Sequence, residues 1–207
     1  MLIAWNAAIN LTAIREPAAI GVRHVVDSLT AIGALRDRQV PAFVDLGSGG
    51  GFPGIPLAAA LPARRALLVE SIGKKATFLS TVAGAVGLAA SVEVHAGRVE
   101  GLAADPAHRE RWPAVTARAV GGLADLVELA FPLLRPNGCL VAWKQGDIEP
   151  ELDAAERAVA ATGGGEIEMR EVRLTGLEGH WLAVVVKRAR TPGGYPRTAA
   201  ARRGRRW

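Results

Sequence analysis

The sequence predicts an α/β fold. A mostly parallel seven-stranded sheet carries helices on both faces and is closed by an antiparallel strand. Three observations support this. Short apolar runs alternate with helix-length amphipathic stretches from Ala42 to about Ala161. The first run ends in a crowd of glycines, the usual form of a strand-to-helix ligand loop. The last two runs, residues 166–174 and His180–Lys187, are joined by a Gly-rich turn and read as an antiparallel pair.

In chain order, residues 2–11 are apolar at helical spacing and contain Trp5, Asn6 and Asn10. Thr12 and the Glu16-Pro17 pair close that stretch. Residues 18–35 read as one amphipathic helix, with Ile20, Val25, Leu29 and Ile32 as its apolar stripe. His24, Asp27 and Ser28 lie on adjacent turns of it. Without a third catalytic partner or a nucleophile-elbow spelling, they read as a hydrogen-bonded helix face.

Ala42–Leu46 is an apolar run suited to a buried parallel strand. Arg65–Glu70 is a second strand, closing on an acid. Residues 74–86 form a helix with Phe78, Leu79 and Val82 inward, and residues 91–96 a third strand that leads into Gly97-Arg98-Val99-Glu100. A polar linker, 105–112, precedes a fourth strand, 114–118, with Arg118 at its tip. After a helix over 123–134, Arg135-Pro136-Asn137-Gly138 is a turn signal. A fifth strand, 139–143, ends at Lys144-Gln145-Gly146, and an alanine-rich helix over 149–161 stops at the glycines 163–165. The expected division is a helical segment over 1–36 packed on the core, a sheet domain over 37–190, and a basic, disordered tail over 191–207.

A chain of 207 residues, half of them hydrophobic and 22% charged, can build one core without staples. Its single cysteine, Cys139, excludes an internal disulfide and reads as core packing. No apolar run reaches the roughly 20 residues of a membrane span, and the start has no basic flank for a signal peptide. A cytoplasmic protein with no membrane contact is the resulting expectation, and nothing demands more than a monomer. The four histidines are scattered, so no metal site is expected.

The net charge of +5 is unevenly placed. Residues 187–207 contain Lys187, Arg188, Arg190, Arg197, Arg202, Arg203, Arg205 and Arg206 and no acid. Removing these eight from 25 basic residues leaves 17 against 20 acidic ones. Such asymmetry points to a polyanion partner, with nucleic acid first.

The glycine loop after the first strand holds Gly47, Gly49, Gly50, Gly51 and Gly54, with Pro53 and Pro56 where a helix can begin. A phosphate loop would end in Gly-Lys-Ser/Thr, but Phe52 follows Gly51. A dinucleotide loop would place its third glycine one residue later. What remains is acid-x-G-x-G-x-G on Asp45, Gly47, Gly49 and Gly51, which is similar to the first motif of S-adenosylmethionine-dependent methyltransferases. Glu70 lies 23 residues past Gly47, at the tip of the adjacent strand. A carboxylate there can accept hydrogen bonds from both hydroxyls of a ribose. Val99 and Glu100, at the third strand's carboxyl end, are placed to meet an adenine.

Separated blocks then identify a family. WNAAINLTAIREP, RHVVDSL, FVDLGSGGGFPGIPLA, VESIGKKATFL, GRVE, ARAV and WKQG run through most of the chain in order. Together they resemble the bacterial 16S rRNA guanine-N7 methyltransferases, the glucose-inhibited division protein B family. The resemblance implies a Rossmann-like S-adenosylmethionine-dependent methyltransferase fold with a short N-terminal helical extension. It implies S-adenosyl-L-methionine as cofactor, held by Gly47, Gly49, Gly51, Phe52, Glu70, Val99, Glu100 and Arg118. It implies a guanine in the decoding-region loop of 16S rRNA, in the RNA or the small ribosomal subunit, as substrate.

Guanine N7 has an exposed lone pair and no proton to lose, so approach and alignment matter more than acid–base chemistry. No obligatory general base is expected. Arg118 or Lys144 is expected to position the substrate through guanine O6, and Arg118 could equally pair with the methionine carboxylate. The rival readings are a methyltransferase of another substrate, a nicotinamide dehydrogenase, and a non-catalytic RNA-binding protein on the same fold.

Overall fold

The computed structural model describes residues 1–61, 65–204 and 207. Two of the tail arginines, Arg205 and Arg206, lie outside the described residues. Ahead of the sheet come α1 (Leu2–Ile9), α2 (Pro17–Ile20), a π-helical segment (Gly21–Val26), α3 (Asp27–Leu29) and α4 (Ile32–Asp37). Strands and helices then alternate: β1 (Ala42–Leu46), α5 (Gly54–Ala60), β2 (Arg65–Glu70), α6 (Gly73–Ala85), β3 (Val92–Ala96), α7 (Val99–Ala104), β4 (Trp112–Arg118), α8 (Leu123–Ala130), β5 (Leu134–Gln145) and α9 (Glu149–Thr162). The hairpin β6 (Gly165–Glu171) and β7 (His180–Lys187) follows, and α10 (Ala199–Gly204) lies in the tail.

Among the described residues, seven strands form one sheet in the order β3-β2-β1-β4-β5-β7-β6. The first five are mutually parallel, and β7 runs antiparallel to both its neighbours. The predicted α/β architecture is therefore the observed one. Its central strands are apolar on both faces because helices cover both. Phe43, Leu68, Ala114 and Val141 pack under α4, α5 and α6. Val44, Leu67, Val115 and Leu140 pack under α7, α8 and α9 on the opposite side. Strand order reverses at β1, between β2 and β4. A crevice at the carboxyl ends of the strands is the expected consequence.

Three expectations are corrected. The single helix over 18–35 is broken by the π-helical segment. A π turn inserts an extra residue, which rotates the faces, so Val25 is 38% exposed while Asp27 and Ser28 are buried. The fifth strand begins early, because Leu134 already pairs with Trp112 and the Arg135–Gly138 turn becomes an irregularity within it. Against the expectation of no such run, the helical stretch Pro17–Asp37 is long and apolar enough, by length and composition alone, to cross a membrane. Here, however, they bury Ala31, Ala34 and Leu35 in the core and carry charged groups to the sheet rim.

The described residues of the tail, expected to be disordered, contact the body instead. Glu128, fully buried on α8, accepts hydrogen bonds from the Arg197 backbone N–H (2.7 Å), its guanidinium (2.6 Å) and Trp207 Nε1 (2.9 Å). The Arg197 guanidinium also lies 4.5 Å from the centre of the Trp207 ring. Arg109 donates to the carbonyls of Thr191, Pro192 and Tyr195. A buried carboxylate needs a partner, and the tail supplies it.

Candidate active site

The glycine loop turns sharply because its residues adopt positive φ: +64° at Gly47, +50° at Gly49 and +88° at Gly51. Asp45 lies beneath it, fully buried, and does not face the cleft. Its carboxylate accepts from Thr116 Oγ1 (2.8 Å) and from the Gly54 N–H (3.2 Å), tying the start of α5 to β1 and β4. Burial pushes its pKa up to about 6, with Thr116, Ser48, Arg118 and Gly54 opposing. At Gly54 a Cβ would sit 2.3 Å from Leu68 Cδ2 and 2.8 Å from Asp45 Oδ2, so only glycine lets helix and strand meet.

Glu70 ends β2, only 6% exposed, as a brace. It accepts from the Gly49 N–H (3.0 Å) and the Ile72 N–H (2.8 Å), locking the loop to the neighbouring strand tip. Between the two tips opens a cleft of about 200 Å³, lined by Gly47, Val69, Ser71, Val99, Glu100 and Val120 among others. Apolar walls from Val69 and Val99 beside the Glu100 acceptor are a lining that would suit a nucleoside. Glu100 also pairs with Arg202 of the tail at 2.6 Å. Burial would raise the Glu100 pKa, but the hydrogen bond and charge of Arg202, with Arg98, bring it below the usual carboxylate value.

A second cluster forms further along the same rim. Asp27, 3% exposed at its side chain, holds Arg118 at 3.0 Å and His180 Nδ1 at 3.1 Å. Its backbone carbonyl accepts from Trp143 Nε1 at 2.8 Å. Arg118 also donates to His24 Nδ1 (3.2 Å) and lies 5.5 Å from the centre of the Phe52 ring. His24 stacks on that ring at 4.8 Å. His24 Nδ1 also lies 3.1 Å from the Arg23 carbonyl, and Nε2 lies 2.6 Å from Thr12 Oγ1. Burial lowers the His24 pKa, and the Arg118 charge lowers it further. Beside this cluster lies a pocket of about 250 Å³ lined by Ile14, Arg23, Gln145, Gly176, Glu178 and His180.

The structure thus splits the residues singled out in the sequence. Gly47, Val99 and Glu100 line the cleft between the strand tips, while Gly49 and Glu70 brace its edge. Gly51 closes the turn by donating to Ser48 O at 2.7 Å. Phe52 and Arg118 belong to the second cluster. Lys144 pairs with Glu151 at 2.7 Å and donates to Gly121 O. Sequence reasoning set aside His24 and Asp27 as a helix face, yet they are at the centre of the second cluster. The signal was there: an aspartate in an apolar helical stretch is buried only with a partner. Cys139 is core packing, as expected, and burial pushes its thiol up to about 11.

Over residues 1–175 the chain matches the family model GidB, described as rRNA small subunit methyltransferase G. It is 44% identical over 197 residues to the ribosomal RNA small subunit methyltransferase G of Roseiflexus castenholzii, covering 95% of this chain and 83% of the relative. To the protein of the same name from Dehalococcoides mccartyi it is 40% identical, covering 96% and 84%. Among solved structures it resembles an O-methyltransferase from Bacillus cereus in complex with SAH, with a TM-score of 0.63 at 17% identity over 90% of this chain and 89% of that one. A SAM-dependent O-methyltransferase from Thermotoga maritima gives a TM-score of 0.59 at 14% identity, over 93% of this chain and 73% of that one. At such identities these two structures establish the shared fold alone.

Proposed function

The chain belongs to the GidB family of small-subunit rRNA methyltransferases, and from that premise we propose that it methylates N7 of a guanine in the decoding-region loop of 16S rRNA. It is an S-adenosylmethionine-dependent rRNA methyltransferase; the base, the atom and the residue roles are our reading. When bound, S-adenosylmethionine supplies an electrophilic methyl group on a sulfonium.

The chain's own residues supply position and desolvation. Gly47 leaves room at the cleft for close backbone approach, Glu70 fixes the loop and offers acceptors to a ribose, Val99 packs against adenine, and Glu100 accepts from its amine. Gly49, Gly51 and Phe52 hold the loop in shape. Arg118, held by Asp27, donates to His24 and lies over the Phe52 ring, so its guanidinium is fixed on the rim beside the glycine loop. Because Arg118 and Lys144 are both engaged by carboxylates, the donors that read guanine O6 are Arg23 and Gln145 of the neighbouring pocket. No group there needs to take a proton from N7, so the chain acts by alignment and exclusion of water. We place the enzyme in the cytoplasm, as a monomer acting on the small subunit or its RNA.

The observation that carries this reading is the pairing of Glu70 with Gly49 at the switch point of the sheet, beside an apolar nucleoside cleft. The test is transfer of labelled methyl from S-adenosylmethionine to small-subunit particles lacking the modification, followed by identification of the base. N7-methylguanine in the decoding region supports the reading, and label on another base or atom refutes it. Arg118→Ala should lower turnover about 100-fold if alignment is lost.

A further inference from the structure

Among the described residues, five of the six cations of the basic tail pair with acids of the body. Lys187 and Arg190 pair with Glu110, Arg188 with Glu166, Arg197 with Glu128 and Arg202 with Glu100. Four of these pairs hold the strand end and the tail base. The fifth differs in place, because Arg202 itself lines the nucleoside cleft beside Gly47, Val69, Val99 and Glu100. Its side chain is 13% exposed, and a second amino group of the same guanidinium donates to Arg197 O at 2.6 Å. Arg197 is in turn fixed to the fully buried Glu128. A continuous chain of contacts therefore runs from the core of α8, through the tail, to the adenine edge of the cleft.

We propose that residues 191–204 form a strap that completes the cofactor site. Arg202 is the positioning residue that holds Glu100 against the adenine edge, so strap docking and cofactor binding favour each other. This rests on the cofactor reading above. A carboxylate has about four acceptor positions, so Glu100 can receive Arg202 and an adenine amine together. The guanidinium offsets the charge of Glu100 in a cleft where an unpaired carboxylate would be costly to desolvate. The linkage is reciprocal: whatever the docked strap adds to cofactor affinity, bound cofactor adds to strap docking.

The test uses the full chain and S-adenosylhomocysteine alone, followed by calorimetry. Arg202→Ala should raise its dissociation constant about tenfold, with Arg202→Lys intermediate and Arg203→Ala unchanged. In methyl transfer, Arg202→Ala should raise KM for the cofactor and leave kcat at saturation near the wild-type value, with an unaltered melting temperature in buffer. In the wild-type chain, S-adenosylhomocysteine should slow tryptic cleavage within the strap. Wild-type affinity or tighter binding in Arg202→Ala overturns the proposal, as does cleavage at the same rate with and without S-adenosylhomocysteine. If the wild-type chain itself binds no S-adenosylhomocysteine, the cofactor reading fails, which is a separate result.

Discussion

At the glycine-loop end of the rim, the bracing contacts lie within one strand–loop unit or between two successive ones: Asp45 with Gly54 inside the first, and Glu70 of the second with Gly49 of the first. At the Asp27 end, three distant stretches meet on one residue: the tip of β4 and the start of β7 on its carboxylate, and the end of β5 on its backbone carbonyl. The first end is a local motif, in which backbone conformation does most of the shaping. The second is a hub, in which one buried charge sets the positions of several side chains. A motif tolerates loss of one contact because its glycines still dictate the turn. A hub has no such reserve, because its partners come from elements that have no other reason to meet.

The largest effect that would test this contrast is at Asp27. Asp27→Ala leaves Arg118 and His180 facing each other without their shared anion, and removing one partner of a buried pair costs about 3–5 kcal/mol. Urea unfolding should register that loss, and methyl transfer should fall with it. A cost near zero would mean that the hub is decorative and the contrast is wrong.

The next effect sharpens the motif end. The Asp45 carboxyl is raised from 3.8 to about 6 in the folded chain. A raised folded value means that the protonated form is favoured by folding. Its contribution is fully present below 3.8 and is lost as pH rises through about 6. The difference corresponds to about 3 kcal/mol. Asp45→Asn stays neutral, so the gap in stability between variant and wild type should move in the variant's favour between pH 4 and pH 7, as read by denaturant unfolding at each pH. A constant gap would show that burial of Asp45 carries no such cost.

A smaller loss is expected at Gly54. Gly54→Ala puts a methyl 2.3 Å from a fully buried leucine, and overpacking of this kind costs about 1–3 kcal/mol. A thermal melt that drops further for Gly54→Ala than for Asp27→Ala would reverse the ranking of the two ends.

Much of the motif end could be read from the chain. The strand-to-helix glycine run, the acid at the next strand tip and the Val99-Glu100 pair all lie at fixed short spacings, because successive parallel strands end on the same edge of a sheet. The hub was only half legible. The Arg23–Leu29 block was noticed, but periodicity assigned it to an ordinary helix, and a one-residue π insertion cannot be seen in a hydrophobic pattern. His180 and Trp143 gave no local sign of a role. The tail misled in another way: a count of cations says nothing about which of them meet acids.

The α/β class, the location of the ligand loop and the family are legible in the residues alone, since these depend on local backbone preference, the alternation of apolar runs and short motifs. Packing of the elements is what brings Arg118 and His180 to Asp27, Lys144 to Glu151, and Arg202 to the cleft. Those contacts join residues up to 153 positions apart. The partner of a buried charge is fixed by where the elements pack, and nothing in the local spelling of either residue encodes it.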